Sequence, residues 1–167
     1  KERKPIDTLV IHHTSEDPDI RLSKLSAIGF VRQYGLDYLV DGNIRGIDVG
    51  GKPIWSGHFK DGIMVFFAYH WLVRPSGESE RLLDDNYIGW QAGNWDINTR
   101  SCAIALSGDY SNRIPSEKQI AAIRGIINNN YSNVEVSRIL GHREINPKTT
   151  CPGNMFLKET GWKKLLV

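Results

Sequence analysis

Two histidines end an apolar run near the start of the chain, and a histidine and a cysteine lie close together near its end. His12 and His13 follow the apolar residues 9–11, and the segment 141–153 contains His142 and Cys151. Two imidazoles and one thiolate can form a three-ligand zinc site with a fourth position open for water, the pattern of catalytic zinc. If these side chains meet in space, the pattern predicts a metallohydrolase.

The residues alone leave two alternatives open at this site. Neighbouring side chains of a strand point to opposite faces, so His12 and His13 are not expected to bind the same ion, and either could be the ligand. Cys151 could instead form a disulfide with Cys102 in an oxidising compartment, which would occupy its sulfur. A bridged protein would lack this metal site and would have no free thiols.

Two further residues could assist hydrolysis of an amide. Attack on the carbonyl carbon builds negative charge on the oxygen, and a hydrogen-bond donor or a cation must stabilise that charge. Lys148 lies three residues before Cys151, and Tyr69 lies in an apolar, aromatic run at 64–73 that predicts a strand. Both are candidates for this task.

Composition limits the classes of function. The chain has 167 residues, of which 40% are hydrophobic and 24% charged, as in one globular domain covering 1–167. Its 21 basic and 19 acidic residues give a net charge of +2, so charge does not suggest a nucleic-acid partner. No apolar stretch approaches the roughly 20 residues of a membrane span, so we expect no membrane insertion.

The predicted elements alternate between strands and helices, which indicates the α/β class. Apolar, β-branched and aromatic runs predict strands at 8–12, 64–73, 101–106 and 135–140, with a return strand at 78–83. Helices are predicted at about 22–34, from Ser116 with a capping box to Gln119, and from 154 or 155 to 164. Turn signals in the stretch 36–62 predict a small hairpin or an ordered insertion.

Five pieces of the chain, taken in order, resemble the zinc-dependent N-acetylmuramoyl-L-alanine amidases shared by phage endolysins, bacterial amidases and peptidoglycan recognition proteins. Each piece alone is weak, but the ordered set is specific and spans most of the chain. The pieces are residues 10–14 (VIHHT), 68–73 (AYHWLV), 89–93 (GWQAG), 98–101 (NTRS) and 141–153 (GHREINPKTTCPG).

The resemblance implies a role for individual residues. It implies one zinc ion per chain, bound by His12, His142 and Cys151, and it favours His12 over His13. It implies that Tyr69 hydrogen-bonds the reacting oxygen or water and that Lys148 stabilises the tetrahedral intermediate. The residues that it maps near the groove for the muramyl peptide are Trp90, Asn98 and Arg143.

The resemblance also implies a fold, an activity and a place of action. The expected fold is a single α/β domain with a central, mostly mixed sheet flanked by about three helices. The expected activity is hydrolysis of the amide between N-acetylmuramic acid and L-alanine in peptidoglycan, by a monomer acting on the cell wall. Such a protein is secreted, extracellular, or phage-encoded and released at lysis. A non-catalytic peptidoglycan-binding module of the same fold is the alternative; such modules usually lack the cysteine that this chain keeps at 151.

Three features depart from the family's pattern. The stretch 36–62 is longer than the usual link between the first helix and the strand with the tyrosine. Gln91 stands where relatives often have histidine. Ala105 stands where one branch carries a glutamate, so the mechanism that uses Tyr69 and Lys148 fits this chain better.

Overall fold

The sheet that carries the candidate site is mixed, as predicted. The computed structural model describes residues 3–15, 59–60, 63–64 and 68–167. In these residues the strands are β1 (Thr8–His13), β2 (Phe59–Lys60), β3 (Ile63–Met64), β4 (Trp71–Val73), β5 (Ser79–Arg81), β6 (Ser101–Leu106) and β7 (Ile139–Gly141). Five of them form one sheet in the order β5-β4-β6-β1-β7, in which only the β4–β5 pair is antiparallel. Strands β2 and β3 form a separate antiparallel pair.

Three α-helices occur in the described part of the chain: α1 (Trp95–Arg100), α2 (Glu117–Asn130) and α3 (His142–Ile145). Helix α2 begins with the predicted capping box, in which the Ser116 and Gln119 side chains each bond the other residue's backbone N–H. Short 3-10 helices cover Val136–Arg138 and Lys163–Leu166. None of the helices described here is long and apolar enough to cross a membrane.

The two faces of the sheet differ in the size of their side chains. On one face, large apolar residues of β1 and β6 pack against α2 and against the aromatic rings of Phe156 and Trp162. On the other face, Ala103 and Ala105 of β6 pack with Tyr69 and Leu72. His12 lies opposite Ala105 in the parallel register, so the small alanine leaves room beside the imidazole.

Most predicted strands are present, but several are shorter. Residues 101–106 form a strand as predicted, and the strand predicted at 8–12 extends to His13. In the run predicted at 64–73, residues 68–70 are not in a strand and β4 begins only at Trp71. The strand predicted at 135–140 is replaced in its first part by the 3-10 helix Val136–Arg138.

The last predicted helix is wrong, and α1 was not predicted. Residues 154–162 form turns, in which Gly161 approaches the chain so closely that a Cβ would lie 2.3 Å from the carbonyl oxygen of Met155. This close approach is incompatible with a continuous helix. The helix predicted at 22–34, and all of 36–62 apart from β2, lie outside the described residues.

Candidate metal centre

Three side chains meet at one edge of the sheet. Strands β1 and β7 are parallel neighbours, so their carboxyl ends bring His12 and His142 together, with ring centroids 4.7 Å apart. Cys151 returns to the same point, and its Sγ lies 3.5 Å from Nδ1 of His12. One possible ligand atom from each of His12, His142 and Cys151 lies within 4.8 Å of the other two. We call these three residues the His–His–Cys cluster.

Backbone contacts hold the cysteine turn in place. The backbone N–H of Arg143 donates to the carbonyl oxygen of Cys151 (2.8 Å), and the Arg143 guanidinium donates to the carbonyl oxygen of Gly153 (3.2 Å). The backbone N–H of His13 donates to Sγ of Cys151 (3.4 Å). Gly153 has a φ of +113°, and a Cβ there would lie 2.1 Å from the carbonyl oxygen of Tyr110, so only glycine fits.

Burial sets the protonation of the cluster. It lowers the pKa of His12 to about 3, helped by the nearby His142 and opposed by a hydrogen bond with Gln91. Burial also lowers the pKa of His142, against the effect of a hydrogen bond with the backbone of Ala92. It raises the pKa of the Cys151 thiol to about 12. At neutral pH the metal-free cluster therefore has two neutral imidazoles and a protonated thiol.

The cluster fits a zinc ion. Bonds of about 2.0–2.3 Å at tetrahedral angles separate neighbouring ligand atoms by roughly 3.5 Å, close to the observed spacing of His12 and Cys151. Nε2 of His142 is buried and has no hydrogen-bond partner among the described residues. Such a buried nitrogen is costly unless a partner uses its lone pair, and a metal ion would do so.

His13 lies outside the cluster. Its Nδ1 accepts a hydrogen bond from the backbone N–H of Tyr110 (3.1 Å), so its proton is on Nε2, which donates to the hydroxyl oxygen of Ser15 (2.9 Å). Asp109 lies 3.8 Å from Nδ1. This set resembles a serine–histidine–aspartate triad, but the imidazole carries the proton on the side of Ser15 and cannot accept the one from its hydroxyl.

The two predicted catalytic side chains differ in their surroundings. Tyr69 is buried, and its ring centroid lies 4.9 Å from that of His12, although the residue directly precedes β4 instead of belonging to a strand. Lys148 is exposed in the loop that leads to Cys151, with its backbone N–H bonded to the Asn146 side chain (3.1 Å). Their catalytic roles stay predictions.

The three residues assigned to the substrate groove also have distinct environments. Trp90 packs against Trp95, with ring centroids 4.9 Å apart, and both are half-buried. Asn98 is buried, and its side-chain oxygen accepts hydrogen bonds from the backbone N–H groups of Ala92 (2.9 Å) and Gln91 (3.4 Å). Arg143 bonds the cysteine turn. The hydrogen bonds of Asn98 and Arg143 indicate that these two side chains hold loops of the site in place.

The structure decides whether Cys102 and Cys151 form a disulfide, and it also shows the role of His70. Both cysteines are free, and the buried Cys102 thiol donates to the Tyr131 hydroxyl (3.1 Å), so the Cys102–Cys151 disulfide is not formed. His70 is structural: its Nδ1 accepts from the backbone N–H of Ala103 (3.1 Å), and its Nε2 donates to the carbonyl oxygen of Tyr87 (3.1 Å).

One residue of the site was missed by the sequence analysis. Gln91 is buried, and its Oε1 lies 2.7 Å from Nε2 of His12. The sequence did show that Gln91 stands where relatives often have histidine. That difference did not indicate which residue the Gln91 amide contacts.

Comparisons with known proteins agree with this geometry. A family model described as N-acetylmuramoyl-L-alanine amidase matches residues 2–154. The chain is similar to the solved structure of N-acetylmuramoyl-L-alanine amidase LysC from Clostridium intestinale URNW (19% identity, 100% of this chain and 93% of that chain, TM-score 0.65). It is also similar to the Ph2119 endolysin from a Thermus scotoductus MAT2119 bacteriophage (20% identity, 99% and 86%, TM-score 0.59). A search of curated proteins gives no match.

A third similar structure is that of tracheal cytotoxin bound to the ectodomain complex of peptidoglycan recognition proteins LCa and LCx. Its identity to this chain is 19%, with 96% of this chain and 90% of that chain covered and a TM-score of 0.63. At such identities these structures establish the fold, which is the one expected from the sequence.

Proposed function

The chain belongs to the N-acetylmuramoyl-L-alanine amidase family, and on that premise we propose that it is a zinc-dependent amidase. Its substrate is the amide bond between N-acetylmuramic acid and L-alanine in peptidoglycan. The observation that carries the proposal is the convergence of His12, His142 and Cys151, which suits one zinc ion per chain. An intact cysteine beside two neutral histidines favours the enzyme over a recognition module, because recognition has no need of a thiolate ligand.

The reaction requires stabilisation of negative charge at the scissile carbonyl. When bound, zinc supplies Lewis acidity at this point. Tyr69, whose ring packs beside His12, is proposed to hydrogen-bond the reacting oxygen or water. Lys148 is proposed to bring its ammonium group to the developing oxyanion when substrate is bound. Its exposed position in the loop before Cys151 leaves the side chain able to turn toward the site.

The residue beside His12 supports this choice of mechanism. Ala105 is the register partner of His12 on β6 and is fully buried. A methyl group neither donates nor accepts a proton, so this position offers no general base. Proton transfer and charge stabilisation therefore fall to Tyr69 and Lys148.

Trp90 is proposed to contact the substrate directly. Trp90 directly precedes Gln91, which contacts His12. The ring of Trp90 forms an aromatic pair with Trp95. Half-buried indole rings offer apolar faces on which a sugar ring or a peptide side chain can stack. Asn98 and Arg143 are proposed to shape the groove through the loops that they hold.

The proposal extends to the whole chain. Residues 1–167 would form one catalytic domain that acts as a monomer on the cell wall. The protein would reach that wall by secretion or, if phage-encoded, by release at lysis. The tracheal cytotoxin complex of similar fold supports a muramyl peptide as the ligand class.

Analysis of the products from purified peptidoglycan tests the proposal. We expect new L-alanine amino termini without new reducing sugar ends, and we expect this activity to require zinc. Cys151→Ser should abolish it. Cys102→Ser is the matched control, because it replaces the other thiol and can keep the hydrogen bond to Tyr131.

Two outcomes would overturn the proposal. Reducing ends instead of amino termini would identify a glycosidase. Binding of muramyl peptides without turnover by the zinc-loaded protein would identify a recognition module.

A further inference from the structure

Gln91 makes a close and fully enclosed contact with His12. The amide Oε1 of Gln91 lies 2.7 Å from Nε2 of His12, and the two residues are only 6% and 1% exposed. Water therefore has little access to this pair, so each must satisfy the other's polar atom. The contact is on the side of the imidazole away from Cys151, which lies near Nδ1.

This contact decides which nitrogen of His12 carries the proton. A carbonyl oxygen can only accept a hydrogen bond, so a neutral imidazole facing it must place its hydrogen on Nε2. Nδ1 then keeps a free lone pair, directed at the cluster. That is the tautomer a metal ligand needs when Nδ1 faces the ion.

A second hydrogen bond holds the other end of the Gln91 amide. The Nε2 amide group of Gln91 donates to the hydroxyl oxygen of Ser101 (2.9 Å), at the start of β6. Rotating the amide by half a turn would present its NH₂ group to His12 and favour the opposite tautomer. The Ser101 hydroxyl therefore holds the Gln91 side chain beside His12.

The backbone around Gln91 acts on the other histidine too. The side chain of Asn98, on α1, accepts from the backbone N–H groups of Gln91 and Ala92. The backbone of Ala92 is in turn hydrogen-bonded to the imidazole of His142. One short segment, anchored by Asn98, therefore touches both imidazoles.

We propose that Gln91 is a positioning residue that holds His12 in the Nε2–H tautomer through its amide oxygen, with Ser101 fixing the amide. The inference rests on the proposed zinc site, since it assigns Gln91 a task toward that ion. Partners of this kind orient metal-binding histidines, and losing one typically weakens metal affinity by about 10–100-fold.

The first test is nitrogen-15 NMR of the metal-free protein near neutral pH, where imidazole shifts report the tautomer. His12 is assigned by comparison with His12→Asn. We expect His12 to be protonated on Nε2 in the wild type and to lose this preference in Gln91→Leu. Protonation on Nδ1 in the wild type would overturn the inference.

The second test is zinc affinity, measured by competition with a chromogenic chelator. We expect Gln91→Leu to bind zinc about 10–100-fold more weakly, and Ser101→Ala to lie between this variant and the wild type. Gln91→Glu keeps an acceptor oxygen and should rescue both the tautomer and most of the affinity. Equal affinities in the Leu and Glu variants would contradict a positioning role.

These measurements remain separate from the proposed activity. If wild type shows the expected tautomer and affinity series but does not cleave peptidoglycan, the proposed function fails and Gln91 keeps its role. Loss of the thermal transition in Gln91→Leu would show that this variant does not fold. The positioning role of Gln91 is then decided by the tautomer of His12 in the wild type and by the zinc affinity of Ser101→Ala relative to the wild type.

Discussion

Zinc binding should release a single proton from the protein's three ligands, and that proton should come from Cys151. Burial raises the pKa of this thiol to about 12, whereas it lowers the pKa of His12 to about 3 and that of His142 as well. Above pH 7 both imidazoles are already neutral. Zinc takes the thiolate, so among the protein's three ligands only the thiol loses a proton when the ion binds. A water in the open fourth position, whose pKa falls to about 7 on zinc, adds to the proton release above that pH.

The size of the effect follows from the position of that pKa. At pH 7 the thiol lies about five pH units below its pKa, so almost every molecule carries the proton. Each unit of pH then raises the zinc affinity tenfold, or about 1.4 kcal/mol. Between pH 7 and pH 8.5 the thiol alone should raise the affinity about 30-fold.

Titration calorimetry measures the proton count directly. The heat of zinc binding is recorded at one pH in buffers with different ionisation enthalpies, and the slope gives the number of protons released. Cys102→Ser should show the same count, because its buried thiol is bonded to Tyr131 and lies outside the cluster. We expect at least one proton, with any excess above one coming from water in the open fourth position of the ion. A slope of zero would mean that Cys151 is already a thiolate or is not a ligand.

Three other variants test separate parts of the site and fold. Lys148→Ala should keep zinc but lose about 10²–10³ in kcat on peptidoglycan; full activity would remove its role at the oxyanion. Gly153→Ala should weaken zinc binding in the same chelator competition, because a Cβ would collide with the carbonyl of Tyr110 and displace the cysteine turn; unchanged affinity would refute this view. His70→Phe should lower the free energy of unfolding, measured in urea, by about 2–5 kcal/mol, because the backbone N–H of Ala103 and the carbonyl oxygen of Tyr87 lose their partner. A loss under 1 kcal/mol would contradict the structural role of His70.

Acidification should destabilise the wild type, with His70 as one cause. Burial lowers the pKa of His70 to about 4, so the unfolded chain takes up its proton near pH 6.5, before the folded protein does. Stability is therefore lost as the pH falls from 6.5 toward 4, by about 2 kcal/mol at pH 5 for this one group. Urea denaturation at pH 7 and pH 5 should show a smaller loss in His70→Phe. An equal loss in both proteins would contradict this assignment.

The elements that position His12 could be read from the sequence. Residues 8–12 and 101–106 are fully buried in the parallel sheet, so their apolar runs are strong signals. Helix α2 carries both an apolar stripe and a capping box. Helix α1 lacks such signals, since WDINTR is short and polar and is begun by the Asn94 cap.

The segment near the C-terminus shows that a local sequence pattern does not always predict secondary structure. A helix was predicted from 154 or 155 to 164, a segment that contains the apolar residues Met155, Phe156 and Trp162. In the structure the rings of Phe156 and Trp162 pack on each other (centroids 4.6 Å apart) from a chain of turns. Their burial depends on distant partners such as Tyr110, which a local pattern does not include.

The candidate metal ligands could be predicted from the sequence, but the residue that contacts His12 could not. Ordered motifs indicated His12, His142 and Cys151, and the structure brings these side chains together. The contact between Gln91 and His12 joins residues 79 positions apart, and nothing in the local sequence specifies it.

The most direct test of the account is the zinc content of the purified protein. Elemental analysis should find one equivalent of zinc in the wild type and in Cys102→Ser, and almost none in Cys151→Ser or His142→Ala. Equal zinc contents in the wild type and Cys151→Ser, or a folded wild type that takes up no zinc when the ion is supplied, would contradict the metal centre on which the proposed activity depends.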